Sequence, residues 1–373
     1  QPWTAGGEAP QIREDASYLI TGGLTGLGLA TAGWLVDRGA RSLVLMGRRA
    51  PQTGAQKVLD TFSQRGVQIL IVQGDVSSER DVAQLAAQLN ADAVPPLAGV
   101  VHAGGSLDDG VLTAQSMERY AKVFAAKVYG AWLIDRATRN RSLDFLIFFS
   151  SAAGLLGSAG QTNHAAANAY LDALAVQLRA EGRPAVSIQW GAWSQIGAAA
   201  GDDLAARLAE AGLEPIAPAQ GLKAFAKVLQ HAPANIGVVS GNWNRIAERW
   251  PPKLRSYAAE LIETRASAPA PRADSKKDAA SGGDLNARLA ATPVKKRRAL
   301  LQAEIRSLAI KVLSLPATHS IDQKAPLNGL GLDSLMAVEL RNLLGRTIGR
   351  SLPATLLFDH PSIEAVTGHL ASL

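Results

Sequence analysis

The stretch FFSSAAGLLGSAGQTNHAAANAYLDAL, residues 148–174, consists mostly of small apolar residues and carries a single imidazole. That imidazole belongs to His164; Ser151 precedes it, and Asn168 follows it by one helical turn. An imidazole has an ordinary pKa of about 6.5 and can exchange protons around neutrality. The segment could therefore perform acid–base chemistry, although a cap, a buried ring and a helix amide are the structural alternatives.

A second chemical pattern lies in YLITGGLTGLGLATAGWL, residues 18–35, where glycines connect an apolar run to a helical pattern. Such glycines permit a sharp turn and a close approach to a pyrophosphate, whose charge the helix N-terminus stabilises. A plain strand–helix turn is the alternative, but strand, glycines and helix stand in the order that a dinucleotide site requires. We predict a cofactor cradle formed by Thr21, Gly22, Gly23, Leu24, Thr25, Gly26, Leu27 and Gly28.

The end of the next apolar run indicates which dinucleotide is bound. A carboxylate at this position suits the ribose diol of NAD, whereas an Arg suits the 2′-phosphate of NADP. The sequence LMGRR has Arg48 there, followed by Arg49 as a second cation. The two could also be a surface pair after a strand. We predict NADPH as the cofactor, with Arg48 on its 2′-phosphate.

Regular elements must position these residues. Seven runs of near-continuous apolar character alternate with helical patterns between residue 17 and about residue 241. Runs of this kind are typical of parallel strands that are covered on both faces. We therefore predict an α/β fold with a doubly wound parallel Rossmann-like sheet and right-handed crossovers. The seven runs are YLIT, SLVLMG, VQILIVQ, LAGVVHAG, DFLIFFSS, AVSIQW and IGVVSG.

The composition changes at TRASAPAPRADSKKDAASGGD, residues 264–284, which has no apolar period and is typical of a flexible linker. Three helical patterns follow, in KKRRALLQAEIRSLAIKVL, SLMAVELRNLLGRTI and SIEAVTGHLASL. We predict three regions: a catalytic domain at 1–263, the linker at 264–284, and a small all-α helical bundle at 285–373.

Composition excludes several functional classes. The chain has 47% hydrophobic and 19% charged residues, no Cys and a net charge of +6. Without Cys, the chain can form neither disulfides nor thiolate metal sites, and we expect a cytoplasmic location. The six His residues do not have the spacing of metal ligands, so we expect no metal site. The excess positive charge lies partly at RADSKK and KKRR without aromatic neighbours, so we expect neither nucleic-acid binding nor, lacking a long apolar run, a membrane span.

Residues 17 to about 250 resemble the catalytic half of a polyketide synthase ketoreductase, a member of the short-chain dehydrogenase/reductase superfamily. The resemblance is carried by TGGLTGLG, GRR, GDVS, VHAGG, LDDGVL, KVYGAW, FSS, GQTNHAAANAYLDALA and WGAW. It implies NADPH-dependent reduction of the β-keto group of a carrier-bound polyketide thioester. It also implies adenine contacts at Asp75 and Val76, and a loop beneath the cofactor at His102, Ala103 and Gly104.

The resemblance also assigns catalytic roles. In this family a Tyr donates the proton to the carbonyl oxygen, a Ser hydrogen-bonds that oxygen, and Lys and Asn complete a proton relay. Hydride addition creates alkoxide charge, so donors must surround this atom. The matching residues are Ser151, Lys127 and Asn168, but His164 stands where the Tyr is expected, immediately before AAAN. Tyr170 lies six residues further, on a different helix face, and is not a substitute.

Three hypotheses for His164 remain. It is the proton donor, since burial and the Lys127 cation favour a neutral ring that still donates through N–H. Alternatively, the domain is reductively inactive and serves as a scaffold or an epimerase. In the third hypothesis, His164 is a helix residue without a chemical role.

Stereochemical motifs are implied by the same resemblance. Leu107, Asp108 and Asp109 match the motif of B-type ketoreductases, which yield the D-configured β-hydroxyl group. Leu156 replaces the Trp of the opposite class, and Ala166 in place of Pro indicates the B1 subclass. A helix-capping acidic turn is the structural alternative for this motif.

Residues 290–373 resemble an acyl carrier protein, through GLDSL and LPATLLFDHPSIEAV. The resemblance implies that Ser334 carries 4′-phosphopantetheine, attached by a phosphopantetheinyl transferase, while a plain helix N-cap is the alternative. Because the substrate would be tethered to the carrier domain, its high effective concentration would compensate for weak binding at the catalytic site. The opening QPWTAGGEAPQIREDASYLITGGL looks like a start that follows an enoylreductase, so we expect this and other polyketide synthase domains as partners.

Overall fold

The structure is a computed structural model. It describes residues 10–196, 208–209, 211–231, 233–248, 250, 255, 258–266, 284–313, 315, 321–332, 334–350, 352–353 and 355–372. The chain divides into two compact units, the first with residues 1–109 and 113–269 and the second with residues 110–112 and 270–373, and each unit is described by itself.

A seven-stranded parallel sheet forms the centre of the first unit, in the order β3-β2-β1-β4-β5-β6-β8. The order runs outward in both directions from the β1–β4 pair, which confirms the predicted doubly wound sheet. The strands are β1 (Ser17–Thr21), β2 (Ser42–Gly47), β3 (Gln68–Gln73), β4 (Leu97–His102), β5 (Phe145–Ser151), β6 (Ala185–Trp190) and β8 (Asn235–Val238).

Helices cover both faces of this sheet. Their bounds are α1 (Gly26–Asp37), α2 (Thr53–Gln64), α3 (Glu79–Gln88), α4 (Met117–Phe124), α5 (Gly130–Thr138), α6 (Ala152–Leu156), α7 (Thr162–Ala180), α8 (Pro218–His231), α9 (Trp243–Glu248) and α10 (Ala259–Ala266), with a 3₁₀ turn at Leu112–Ala114. Apolar side chains of α1, α2 and α8 form one core with the sheet, and those of α3, α5 and α7 form the other. The two cores explain why the strands are apolar on both faces.

The last predicted strand, IGVVSG, is divided in the structure. Its first part forms β8 in the parallel sheet, whereas Ser240–Gly241 forms β9, which pairs antiparallel with β7 (Leu213–Glu214). A continuous apolar run shows that a segment is buried, but it does not show which strand it pairs with, so this division was not predictable from the pattern.

The second unit is helical in its described residues. Its helices are α11 (Asp284–Ala291), α12 (Val294–Val312), α13 (Ser334–Ile348), α14 (Leu356–Asp359) and α15 (Ile363–Ala371), with a 3₁₀ turn at Leu327–Leu330. The buried side chains of α12 are Leu301, Ile305, Ala309 and Val312, whose spacing places them on one helix face. They pack with apolar residues of α13, α14 and α15, in agreement with the predicted all-α bundle.

The predicted domain boundaries stay predictions. Helix α10 continues to Ala266 and α11 begins at Asp284, so most of the predicted linker, residues 267–283, lies outside the described residues. Among the helices that the structure describes, none combines the length and the apolar character needed to cross a bilayer.

Candidate active site

The predicted cofactor residues lie at the carboxyl ends of strands. Thr21 ends β1, His102 ends β4, and the two residues are directly paired across these strands. The β1–β4 pair is also where the strand order reverses. In open α/β sheets, a crevice outside this point is the usual position of a ligand. Ala103 and Gly104, which follow His102, lie in the same place.

The glycine-rich turn between β1 and α1 is closed tightly against its surroundings. Gly22 has a positive φ of 70°, and a Cβ on it would lie 3.0 Å from the carbonyl carbon of Ala103. A Cβ on Gly28 would lie 2.3 Å from the carbonyl oxygen of Gly22. The side chain of Thr25, the N-cap residue of α1, does not cap the helix. The first N–H groups of α1 are therefore available for an anion such as a pyrophosphate.

Arg48 and Asp75 lie near each other beside this turn, Arg48 directly after β2 and Asp75 two residues after β3. Arg48 is exposed, whereas Asp75 is half-buried and accepts a hydrogen bond from Ser77 Oγ across 2.7 Å. Burial would raise the pKa of Asp75, but the hydrogen bonds from Ser77 and the Arg48 charge lower it below its ordinary value. The pair offers an anion for sugar or base contacts and a cation for a phosphate.

These residues fit a nicotinamide dinucleotide. The Gly22 and Gly28 positions admit no side chain, the helix start presents N–H groups, and Arg48 supplies an exposed positive charge at the adjoining strand end. Val76 continues this surface, since its Cγ1 lies 3.8 Å from where a Cβ of Gly104 would be. The site thus has a place for the phosphates and a place for the adenosine end.

Lys127 lies on a π-helical turn, Ala125–Tyr129, between α4 and α5. Single π-turns inside helices frequently occur at functional sites. The Lys127 side chain is buried, and its Nζ donates a hydrogen bond to the backbone oxygen of Phe149 across 2.8 Å. Its Cε lies 3.1 Å from where a Cβ of Gly105 would be, so the ammonium group sits between the loop after β4 and the end of β5.

His164 and Asn168 lie one turn apart on α7 and share a face of this helix. Asn168 is fully buried; its Nδ2 donates to the His164 backbone oxygen across 2.7 Å, and its own backbone oxygen accepts from Ser150 Oγ at 3.3 Å. Within the described residues, Nδ1 of His164 and Oδ1 of Asn168 are buried and have no hydrogen-bond partner. Buried polar atoms without a partner are rare, so both atoms point to a role in binding or proton transfer.

Burial decides the charge of the two titratable groups in this region. Burial, and secondarily the Lys127 charge, lower the pKa of His164 to about 4. Burial also lowers the pKa of Lys127 to about 8, although the charge of Asp172 acts in the opposite direction. At neutral pH the imidazole is therefore uncharged and the ammonium is largely charged.

Ser151 is the last residue of β5 and the N-cap of α6. Its Oγ accepts a hydrogen bond from the backbone N–H of Ala153 across 3.1 Å. Because the oxygen is used as an acceptor, the hydroxyl hydrogen can be donated to another group. Ser151 can therefore cap α6 and still donate a hydrogen bond to another group.

The loop carrying Leu107, Asp108 and Asp109 is attached to the start of α7. Asn163 Nδ2 donates to the Asp108 backbone oxygen across 2.7 Å, and Gln161 Nε2 donates to the Asp109 carboxylate across 2.9 Å. Leu107 is exposed, and the Asp108 carboxylate pairs with Lys122 at 2.8 Å. Gln161 and Asn163 were not among the predicted site residues. They stand three residues and one residue before His164, and this proximity could have identified them as candidates.

Asp172 is a further residue that sequence reasoning missed. It is buried, and it lies two turns after His164 in the same helix row as Asn168. Its carboxylate accepts hydrogen bonds from Ser187 Oγ at 2.6 Å and from Gln189 Nε2 at 2.7 Å. A spacing of four residues from His164 to Asn168 and four more to Asp172 could have revealed this row.

Ser334 is the first residue of α13, directly after the GLD sequence, so its backbone is at a helix start. Asp333 lies outside the described residues. The described residues contain no group of three or more His, Asp or Glu side chains arranged to hold a metal ion.

Two family models match the chain. The model described as "KR domain" matches residues 16–195, and the model described as "Phosphopantetheine attachment site" matches residues 303–370. The first match contains all predicted cofactor and catalytic residues of the first unit, and the second contains Ser334.

Curated relatives of the chain include polyketide synthases. Polyketide synthase GfsA of Streptomyces halstedii is 39% identical over 371 residues, which is 98% of this chain and 5% of that protein. The 6-methylsalicylic acid synthase of Aspergillus terreus is 34% identical over 374 residues, or 95% of this chain and 20% of that protein. The chain thus spans only a small part of the length of these relatives.

Solved structures resemble the first unit. "Structure of A-type Ketoreductases from Modular Polyketide Synthase" has a TM-score of 0.65 at 32% identity, covering 70% of this chain and 55% of that one. "The first ketoreductase of the tylosin PKS" has a TM-score of 0.58 at 35% identity, covering 65% and 52%. The chain therefore belongs to the polyketide synthases, and it carries a ketoreductase domain that is followed by a phosphopantetheine-binding carrier domain.

Proposed function

We propose that this chain uses NADPH to reduce the β-keto group of a polyketide thioester on its carrier domain, with His164 as an uncharged proton relay. The observation that carries this proposal is the unpartnered Nδ1 of His164, buried in a site whose neighbouring cation is Lys127. A ring nitrogen in this position can accept a proton at the moment the other nitrogen releases one.

The cofactor supplies a hydride to the carbonyl carbon when it is bound. The glycine turn and the start of α1 would hold its pyrophosphate. Arg48 would hold the 2′-phosphate, because a guanidinium group suits this anion and the free carboxylate of an NAD site is not present at the end of β2. These features support NADPH over NADH.

Ser151 would bind the substrate carbonyl. Its Oγ already accepts from the Ala153 N–H, so its hydrogen is directed toward a further acceptor. As hydride adds to carbon, negative charge develops on the carbonyl oxygen, and a hydrogen bond from Ser151 becomes stronger. Ser151 thus stabilises the transition state more than the ground state.

His164 would transfer the proton. With a pKa of about 4, only roughly one ring in a thousand is protonated at pH 7, so the imidazolium form is too scarce to be the acid. The neutral ring instead donates its Nε2–H to the developing alkoxide while Nδ1 accepts a proton that the Lys127 ammonium supplies through water, since the two nitrogens are not hydrogen-bonded to each other. The carbonyl oxygen gains the proton, Lys127 becomes a neutral amine, and solvent protonates it again. Because the pKa of Lys127 is about 8, this donor is largely charged at neutral pH.

The loop at residues 107–109 would set the stereochemical outcome. Hydrogen bonds from Gln161 and Asn163 hold this loop at the start of α7, three residues or fewer before His164. A substrate that enters beside the loop would approach His164 with one carbonyl face toward the cofactor. Together with the B-type motif, this supports a D-configured β-hydroxy product.

The carrier domain would present the substrate. Ser334 at the start of α13 would bear 4′-phosphopantetheine, added by a phosphopantetheinyl transferase. The acyl chain is then tethered, so a high effective concentration replaces tight binding at the ketoreductase site. Other polyketide synthase domains, an enoylreductase among them, would act before and after this step.

A second candidate function is supported by the same low pKa of His164. A ring that is not doubly protonated near neutrality is a weak acid, and the domain would then bind cofactor without reducing the substrate. Such a domain could serve as a scaffold or exchange the α-hydrogen of the substrate as an epimerase.

NADPH oxidation with a diffusible β-keto thioester separates these candidates. We expect turnover in the native protein, loss in His164→Phe, and turnover in His164→Tyr, which restores a phenol donor at an intact site. Equal turnover in native protein and His164→Phe would remove His164 from the mechanism. Turnover in His164→Tyr alone would overturn the relay and support the non-reducing function, which α-deuterium exchange would then identify as epimerase or scaffold.

A further inference from the structure

Asp172 is a buried carboxylate in the part of α7 that faces the sheet. It is 8% exposed, and both of its oxygens accept hydrogen bonds from side chains of β6, Ser187 Oγ at 2.6 Å and Gln189 Nε2 at 2.7 Å. Neither partner is a cation. A buried carboxylate without a directly paired cation is costly unless a charge nearby compensates it, so the position of that charge is decisive.

The compensating charge is Lys127, on the π-helical turn between α4 and α5. Its Nζ donates to the backbone oxygen of Phe149 in β5, and Phe149 is paired with Ile188 in β6. The two hydrogen-bond partners of Asp172 are the residues on either side of Ile188. The hydrogen-bond partners of the ammonium and of the carboxylate therefore lie at the same level of two adjacent strands. The charge of Asp172 acts on Lys127 against the lowering of its pKa by burial.

Three titratable groups face Lys127 from the elements packed around it. His102 from β4 and His164 from α7 are both neutral near pH 7, because burial, and secondarily Lys127 itself, lower the pKa of His102 to about 3 and that of His164 to about 4. Asp172 from α7 is the anion, and it acts against the burial that lowers the pKa of Lys127. The charge balance around Lys127 therefore depends on Asp172.

We propose that Asp172 is a positioning residue that keeps Lys127 protonated and directed at the Phe149 carbonyl, and thereby keeps the proton relay supplied. The catalytic consequence rests on the relay proposed above, whereas the effect of Asp172 on Lys127 does not. Ser187 and Gln189 take part by fixing the carboxylate, since their hydrogen bonds stabilise its charged form. His164, Asn168 and Asp172 thus form a row on α7, and the two titratable members of this row interact with the buried ammonium of Lys127.

Asp172→Asn tests the proposal, because it removes the charge and keeps the size and the hydrogen-bonding capacity of the side chain. The measurement is the pH titration of Lys127 by NMR of lysine-labelled protein, with its signal assigned by loss in Lys127→Arg. We expect the titration midpoint to move from about 8 in native protein to a lower pH in Asp172→Asn, by about one pH unit. An unchanged midpoint in the folded variant would overturn the proposal.

Ser187→Ala is the matched control. It disturbs the same contact but leaves the carboxylate in place, so we expect a much smaller displacement of the Lys127 midpoint. An equal displacement in Ser187→Ala and Asp172→Asn would assign the effect to packing and would overturn the electrostatic role.

A second measurement uses the native protein and needs no folded variant. Coupling between two sites is reciprocal, so the carboxyl carbon signal of Asp172 in aspartate-labelled protein must show a step at the Lys127 midpoint. Absence of this step would overturn the proposal. The pH profile of NADPH oxidation adds the catalytic readout: its alkaline limb should move to lower pH in Asp172→Asn. If native protein has no turnover, the relay fails, but the NMR titrations still decide the role of Asp172.

Discussion

The hydroxyl of Thr21 and Nδ1 of His102 lie 2.7 Å apart, at the directly paired last residues of β1 and β4. Both side chains are buried, at 1% and 0% exposure, beneath the loop that carries Ala103 and Gly104. The contact joins the two strands at the point where the sheet order reverses. A neutral imidazole can make it, but a doubly protonated ring would place a charge in this buried position.

This arrangement predicts a loss of stability in mild acid. The folded-state pKa values of His102 and His164 are lowered to about 3 and about 4, so the unfolded chain binds more protons between pH 6.5 and these values. The free energy of unfolding is therefore constant above pH 6.5 for these groups and falls as the pH decreases through this window. Each His adds a slope of about 1.4 kcal/mol per pH unit.

Urea unfolding from pH 7 to pH 4.5 measures this effect. His164→Gln should reduce the slope by about one proton. A slope that is equal in native protein and His164→Gln would contradict the prediction.

Gly28→Ala should weaken NADPH binding. The added Cβ would lie 2.3 Å from the Gly22 oxygen, and relief of this overlap must open the turn that is proposed to hold the pyrophosphate. Overpacking of this kind costs about 1–3 kcal/mol, or roughly a 5- to 150-fold loss of affinity. Titration by NADPH fluorescence checks it. Gly54→Ala on α2 is the control, because nothing lies within 4 Å of its Cβ, and its affinity should equal that of native protein.

Arg48→Ala should change the cofactor preference. A charge-assisted hydrogen bond to a phosphate contributes about 1.5–3 kcal/mol, so we expect NADPH affinity to fall by roughly 10- to 100-fold. NADH has no 2′-phosphate, and its affinity should stay the same, which makes it the internal control. Equal losses for both dinucleotides would mean that Arg48 supports the fold of the site rather than the phosphate.

Ser334→Ala should abolish modification of the carrier domain. Intact-mass measurement after incubation with coenzyme A and a phosphopantetheinyl transferase should show one added phosphopantetheinyl group in native protein and none in Ser334→Ala. Ser307→Ala, at an exposed position on α12, is the control and should be modified like native protein. Modification of Ser334→Ala would place the attachment site at another residue.

Much of the fold was predictable because its elements have strong local patterns. The apolar strands and the glycine turn predicted the doubly wound sheet, and the sheet order confirms it. The π-helical turn around Lys127 was not predictable, since a single widened turn leaves no periodic signal in the sequence. The same holds for the separation of β8 and β9, where pairing depends on distant strands.

The sequence by itself determined the family, the carrier serine candidate and the unusual imidazole at position 164, because these depend on residue identity and spacing. Only the tertiary structure decided the state of that imidazole. Packing of α7 against β5 and β6 buries His164 near Lys127 and brings Asp172 into contact with Ser187 and Gln189 of β6. Burial and nearby charge then determine which group holds a proton. Such long-range packing has no counterpart in local sequence patterns, which is why the contacts of Asp172 with β6 became visible only in the folded chain.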